Sequence, residues 1–315
     1  FTAYRQSLLA NLATLYRHIG AWTNALNTWK IAWQENADST DPMVYTLANQ
    51  ALGEYAGYLV TLGREEDLAP LLDETKDRQV GGAAAEQLSL ANSALYQMRE
   101  RTDQAFKCGP FALFRVRKAL GIDDPAHDAI LQEPSSKQGT NMQQLQELAA
   151  DLGMDWRVAR RLPGADLPTP AVVRWKLGHY SAILDRLPDG RYRVEDTAFA
   201  TSTFLDQATL DSEADGHYLI AASSVPKQGW EIVGPDQASK LWGRMSSEVN
   251  NPQAYGDPHV DDSGGFAGGG GFGGSGRNGG GKGDDCGMPV YGVSPLNISL
   301  WISDTPCWYH PAFGP

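Results

Sequence analysis

Between Ser263 and Gly283 the chain is dominated by glycine, broken only by Phe266, Ala267, Phe272, Ser275, Arg277, Asn278 and Lys282. Glycine carries no side chain to bury and loses the most backbone freedom on folding, so this tract cannot build a core. It also lacks the three-residue period of collagen and reads as a flexible linker. The chain must therefore fold as separate pieces on either side of it. What precedes the tract is long enough for two domains, and the 42% hydrophobic content is that of a globular protein.

Five regions follow. Residues 1–100 carry helical periodicity, residues 101–224 pass from helices to strands, and residues 225–262 form an extension. The linker is assigned to 263–285, and strand character returns over 286–315. In the first region Leu9, Leu12, Ala13, Tyr16, Gly20, Ala25, Trp29 and Ala32 trace a helical hairpin. Small residues sit where two helices must approach, and Gly20 ends the first of them. The spacing resembles a tetratricopeptide repeat, which implies an all-α scaffold able to bind protein. A weaker copy runs through Leu52, Tyr55, Ala56, Leu59, Gly63, Leu68 and Leu72, and a further helix covers Ala83 to Met98.

Cys108 opens the second region, in Lys107-Cys108-Gly109-Pro110-Phe111-Ala112-Leu113-Phe114. A cysteine followed by Gly-Pro and an apolar run places a thiol at the start of a buried helix. Unpaired N–H groups and the positive end of the helix dipole stabilise a thiolate there. Taken alone, such a cysteine is more often an inert small hydrophobe. A second helix is expected over Met142 to Leu152, capped by Thr140 or Asn141. Strands are expected at Ala171–Trp175, His179–Arg186, Tyr192–Glu195 and His217–Ala222. Asp189-Gly190 is a hairpin signal between the second and third of these, making His179 and Asp196 cross-strand neighbours or one register step apart. A carboxylate beside an imidazole is the second link of a nucleophile–base–orienter triad. Helices followed by an antiparallel sheet make an α+β domain. A short helix over Asp236 to Met245 is expected in the extension.

These segments resemble the double-glycine, bacteriocin-processing peptidases, a papain-like family of cysteine peptidases. The match runs through Cys108-Gly109-Pro110, Gly139-Thr140-Asn141-Met142, Pro170 to Trp175, Gly178-His179-Tyr180 and Tyr192 to Thr197. The resemblance implies Cys108 as nucleophile, His179 as general base, Asp196 as orienting acid and an extended, Gly-Gly-containing peptide or protein as substrate. The glycine pairs 264–265, 273–274 and 279–280 of this chain offer such a segment downstream. The family's oxyanion glutamine falls on Thr102, leaving Gln104 as the nearest donor. A catalytically silent binding module on the same fold is the competing reading.

Other classes are excluded or left without support. A formal charge of −12 and a pI near 4.9 argue against nucleic acid as a partner. No apolar run is long enough to span a bilayer. No cofactor or metal is called for: Cys108, Cys286 and Cys307 lack zinc spacing, and Gly281-Lys282-Gly283 lacks the hydroxyl residue of a P-loop. Cys286 and Cys307 could pair in an oxidising compartment. His127, His217, His259 and His310 have no partner pattern. The segment from Gly287 to Pro315 resembles the region preceding the β-shell of large bacterial Rhs/YD-repeat proteins. With Phe1 in place of an initiating Met, that suggests a piece of a longer protein, at the cell envelope or secreted rather than cytoplasmic.

Overall fold

The computed structural model describes residues 2–122, 130, 133–196, 201–244, 290–293 and 300–303. The chain divides into two compact units, Phe1–Asp261 and Asp262–Pro315. In the first unit, α1 (Thr2–His18) and α2 (Trp22–Gln34) form the expected hairpin. Gly20 between them has φ +77°, a left-handed turn that favours glycine. A β-carbon there would also collide with the Leu205 side chain, so the turn fits closely against the sheet described below. Next come α3 (Pro42–Thr61) and α4 (Glu65–Thr75), and then α5 (Gly82–Glu100). Asp41 caps α3, accepting from the backbone N–H groups of Met43 and Val44 at 2.8 and 3.2 Å, and Pro42 sits in the first turn, where no intrahelical N–H bond is lost.

A single turn, α6 (Thr102–Ala105), leads to α7 (Cys108–Ala119). The short β1 (Thr140–Asn141) runs into α8 (Met142–Asp151). Asn141 makes the cap, in a capping box with Gln144. The sheet is built from β2 (Trp156–Arg161), β3 (Ala171–Trp175), β4 (His179–Arg186), β5 (Tyr192–Asp196) and β6 (Thr201–Leu205). After α9 (Gln207–Glu213) come β7 (Ala214–Ala221) and β8 (Trp230–Ile232), and α10 (Pro235–Ala238) precedes β9 (Trp242–Gly243). Seven strands form one antiparallel sheet in the order β6-β5-β4-β3-β7-β2-β8. Helices with an antiparallel sheet make the unit α+β, as expected.

Strand alternation gives the sheet two buried faces. On one, Tyr180, Ala182 and Leu184 of β4 join Leu113 and Val116 of α7, Leu145 of α8, Val158 and Leu219. On the other, Ile183, Tyr192, Val194, Leu205 and Tyr218 surround Trp175 and Trp22. Trp22 comes from α2, and its ring meets that of Trp175 edge-on at 4.8 Å. Glu213 at the end of α9 accepts from the backbone N–H and the hydroxyl of Thr23, in the first turn of α2. The N-terminal helices are thereby fixed to the sheet by an aromatic contact and a helix-end carboxylate.

The sheet also runs past residue 224. β8 completes one edge, and β9 pairs with β1, Thr140 opposite Gly243 and Asn141 opposite Trp242. The helix expected over Asp236 to Met245 is thus limited to the single turn α10, and the chain then extends. Backbone groups beyond the strand pair explain why: Met142 N–H donates to the Leu241 carbonyl, the Trp242 carbonyl accepts from Arg174 and the Arg244 N–H donates to Gly178. A helix here would leave these groups without those bonds. In the second unit, β10 (Val290–Val293) and β11 (Leu300–Ser303) form an antiparallel pair, Val290 opposite Ser303. The glycine tract, Cys286, Cys307, His127, His259 and His310 lie outside the described residues.

Candidate active site

Cys108 is the first residue of α7, with Lys107 before it as the cap residue. The N–H groups of a first helical turn have no carbonyl one turn back to bind, and Pro110 has no N–H to lose. The helix is pinned at several points. Arg115 reaches Glu195 on β5 at 3.3 Å, and Arg117 donates to the Leu152 carbonyl at the end of α8. Upstream, Ser135 accepts from the Phe106 N–H at 3.1 Å and donates to the Thr102 carbonyl at 2.7 Å, clamping the segment before the cysteine. Gly109 is pressed between Thr140 and the Tyr180 ring. Burial lowers the Lys107 ammonium below its usual range, against the carboxylates of Asp103 and Glu133.

His179 opens β4 opposite Trp175. The β4–β5 register pairs Ala182 with Glu195, so Asp196 lies level with Ser181 and His179 is two residues further along the same face. That is a diagonal cross-strand relation, within reach of these side chains. His179 Nε2 lies 2.5 Å from Asp196 Oδ2. With Nε2 engaged by the carboxylate, Nδ1 is the other ring nitrogen, and Cys108 lies near enough to the imidazole to act on its charge. Burial by itself would push the imidazole down. The charge and hydrogen bond of Asp196, with the hydrogen bond and charge of Cys108, outweigh it and raise His179 to about 10. The pair with Asp196 therefore favours the protonated imidazole.

Cys108, His179 and Asp196 are 0%, 1% and 4% exposed. The helical region lies within reach of the site's charge. Tyr58 on α3 is pushed well above the ordinary phenol value by burial first, then, against Arg17, by Glu54, Glu213 and Asp196, which places α3 within electrostatic range of Asp196. On another side Arg244 lies over the Phe106 ring at 5.2 Å and pairs with Glu66.

No protein family and no curated protein matches the sequence. Among solved structures, the crystal structure of the N-terminal peptidase C39-like domain of the toxin secretion ATP-binding protein from Vibrio parahaemolyticus matches at 13% identity and a TM-score of 0.29. The match covers 36% of this chain and 94% of that one. A likeness this distant says nothing of chemistry, which rests on the side chains themselves.

Of the four residues expected at the site, the structure brings Cys108, His179 and Asp196 together. Gln104 lies in α6, and its side chain is outside the described residues. Two participants are invisible to motif reasoning. Ser181 donates to Asp196 Oδ2 and accepts from Trp175 Nε1. The available signal was a hydroxyl two residues from the histidine, on the histidine's face of an otherwise apolar strand. His217 stands apart from the site, half-buried on β7, 3.2 Å from Asp215.

Proposed function

We propose that this chain is a cysteine peptidase acting on extended peptides with glycine at the scissile bond. The observation that carries the reading is one buried imidazole 2.5 Å from the Asp196 carboxylate, with the Cys108 thiol beside it at the start of a helix. In the reaction, Cys108 Sγ as thiolate attacks the scissile carbonyl, and the C–N bond breaks as His179 gives its proton to the leaving amine. His179 then takes a proton from water, whose oxygen displaces the sulfur and frees the acid product. Asp196 keeps the imidazole oriented and balances its charge. N–H groups of the first turn of α7 are suited to the developing oxyanion. Glycine suits a site this enclosed, because it adds no side chain beside the scissile bond. The glycine tract of the same chain is one candidate substrate.

Wild type and Cys108→Ala are to be compared on Gly-Gly peptides, and on themselves by intact mass. Cleavage by wild type alone is expected, and equal turnover by both would remove the nucleophile. The complete burial of Cys108 and His179 favours a second reading, a silent peptidase-like module that binds or holds together a large Rhs-type protein. Iodoacetamide at neutral pH separates the two. Alkylation of Cys108 in the native chain accompanies an operating site, whereas a thiol that stays unmodified while no peptide is cleaved marks the silent module.

A further inference from the structure

A hydroxyl is spent inside the sheet, and its orientation can be deduced. Ser181 and Trp175 are both buried, at 1% and 0% exposure, where an unbonded polar group is costly. Indole N–H is a donor only. In the 2.5 Å contact between Trp175 Nε1 and Ser181 Oγ, the tryptophan must therefore give and the serine receive. Ser181's own proton is left to be given away, and the oxygen in reach is Asp196 Oδ2. His179 Nε2 is 3.3 Å from the hydroxyl but 2.5 Å from that same Oδ2, to which it also donates. Every bond in the chain then has a fixed sense: Trp175 to Ser181, Ser181 to Asp196, His179 to Asp196. The Trp175 ring is in turn held edge-on by Trp22 of α2.

We propose that Ser181, oriented by Trp175, is a positioning residue for Asp196, fixing the carboxylate rotamer that aligns His179 with Cys108. Two donors on one oxygen fix the plane of the carboxylate. The serine adds to the restraint that the histidine donor places on the carboxylate. The serine bond also keeps Oδ2 an acceptor, the role an imidazolium partner needs. This assignment rests on the catalytic reading of Cys108, His179 and Asp196.

The test uses the full chain and proton NMR. A short imidazolium-to-carboxylate bond gives a proton resonance far downfield of the amides, assigned to His179 by its absence from His179→Gln. In Ser181→Ala this resonance is expected to move upfield or vanish into solvent exchange while the chain stays folded, its unfolding temperature lowered by the Trp175 N–H that loses its acceptor. On a Gly-Gly peptide, kcat is expected to fall about 10- to 100-fold with KM unchanged, the range for a lost hydrogen bond to a charged group. An unmoved resonance, or a change confined to KM, overturns the proposal. Should Ser181→Ala fail to fold, Ser181→Cys keeps the size of the side chain and replaces the hydroxyl with a much weaker donor. It is expected to shift the same resonance, and an unchanged position overturns the proposal. If wild type cleaves no peptide, the peptidase reading fails while the resonance still decides whether Ser181 sets Asp196.

Discussion

The two faces of β4 differ although they alternate along the same eight residues. Tyr180, Ala182 and Leu184 point into a core shared with α7 and α8, where they pack against apolar neighbours and the Tyr180 hydroxyl donates to the Leu241 carbonyl. His179 and Ser181 occupy the first positions of the other face, and only at Ile183 does that face become apolar. Replacing a polar residue with an apolar one costs little stability where a bond network can be lost whole, but can end a reaction. Truncating an apolar one does the reverse. Apolar packing and a polar network thus occupy opposite sides of one strand, with Cys108 of α7 in the apolar core.

The largest expected effect would break that division if it failed. His179→Gln or Asp196→Asn should lower kcat/KM on a Gly-Gly peptide by about a thousandfold or more per folded molecule, a loss far larger than any accompanying fall in the urea midpoint would cause. A large fall in the midpoint with little loss of turnover would make His179 and Asp196 packing residues. Next, Leu219→Ala, on the apolar face and fully buried, should cost about 2–5 kcal/mol in urea unfolding while turnover per folded molecule holds. A third measurement sharpens the contrast through pH. His179 is raised from about 6.5 to about 10 in the fold, so the folded chain holds a proton that the unfolded chain releases across that window. Its stabilising share is complete below about 6.5 and is lost as pH rises through about 10. The stability difference between wild type and His179→Gln, measured by denaturant titration, should shrink from pH 6 to pH 10; a constant difference would mean His179 is not charged in the fold. Smallest is Asn141→Ala, which removes the capping box of α8 and should cost about 1 kcal/mol, with no change in the pH profile of turnover.

The same division explains what the sequence could tell. Cys108, His179 and Asp196 were legible because a helix start, a strand start and a hairpin turn each leave a local mark, and one resemblance orders all three. The α1–α2 hairpin, the Asn141 cap and strands β3 and β4 were legible for the same reason: small residues, cap chemistry and apolar runs act over a few positions. β2 was missed because Trp156 to Arg161 reads as charged. Arg161 is nevertheless buried, paired at 2.5 Å with Asp211 of α9, a partner that only the tertiary fold supplies. Ser181 was passed over for a similar reason, since a serine in a strand has no mark of its own and its meaning comes from Trp175 and Asp196. β9 overrode the helix expected near it because its carbonyls and N–H groups answer to β1, Arg174 and Gly178, all distant in sequence.

The bond from the Arg244 N–H to the Gly178 carbonyl, 2.8 Å long, has a mechanical meaning. Gly178 immediately precedes His179, and the chain continues downstream from Arg244. Tension on that downstream chain would meet the sheet first at this bond and at the short β1–β9 pair. The load would thus arrive one residue from the imidazole and beside the segment that leads into α8, well before it reached the broad core beneath β4.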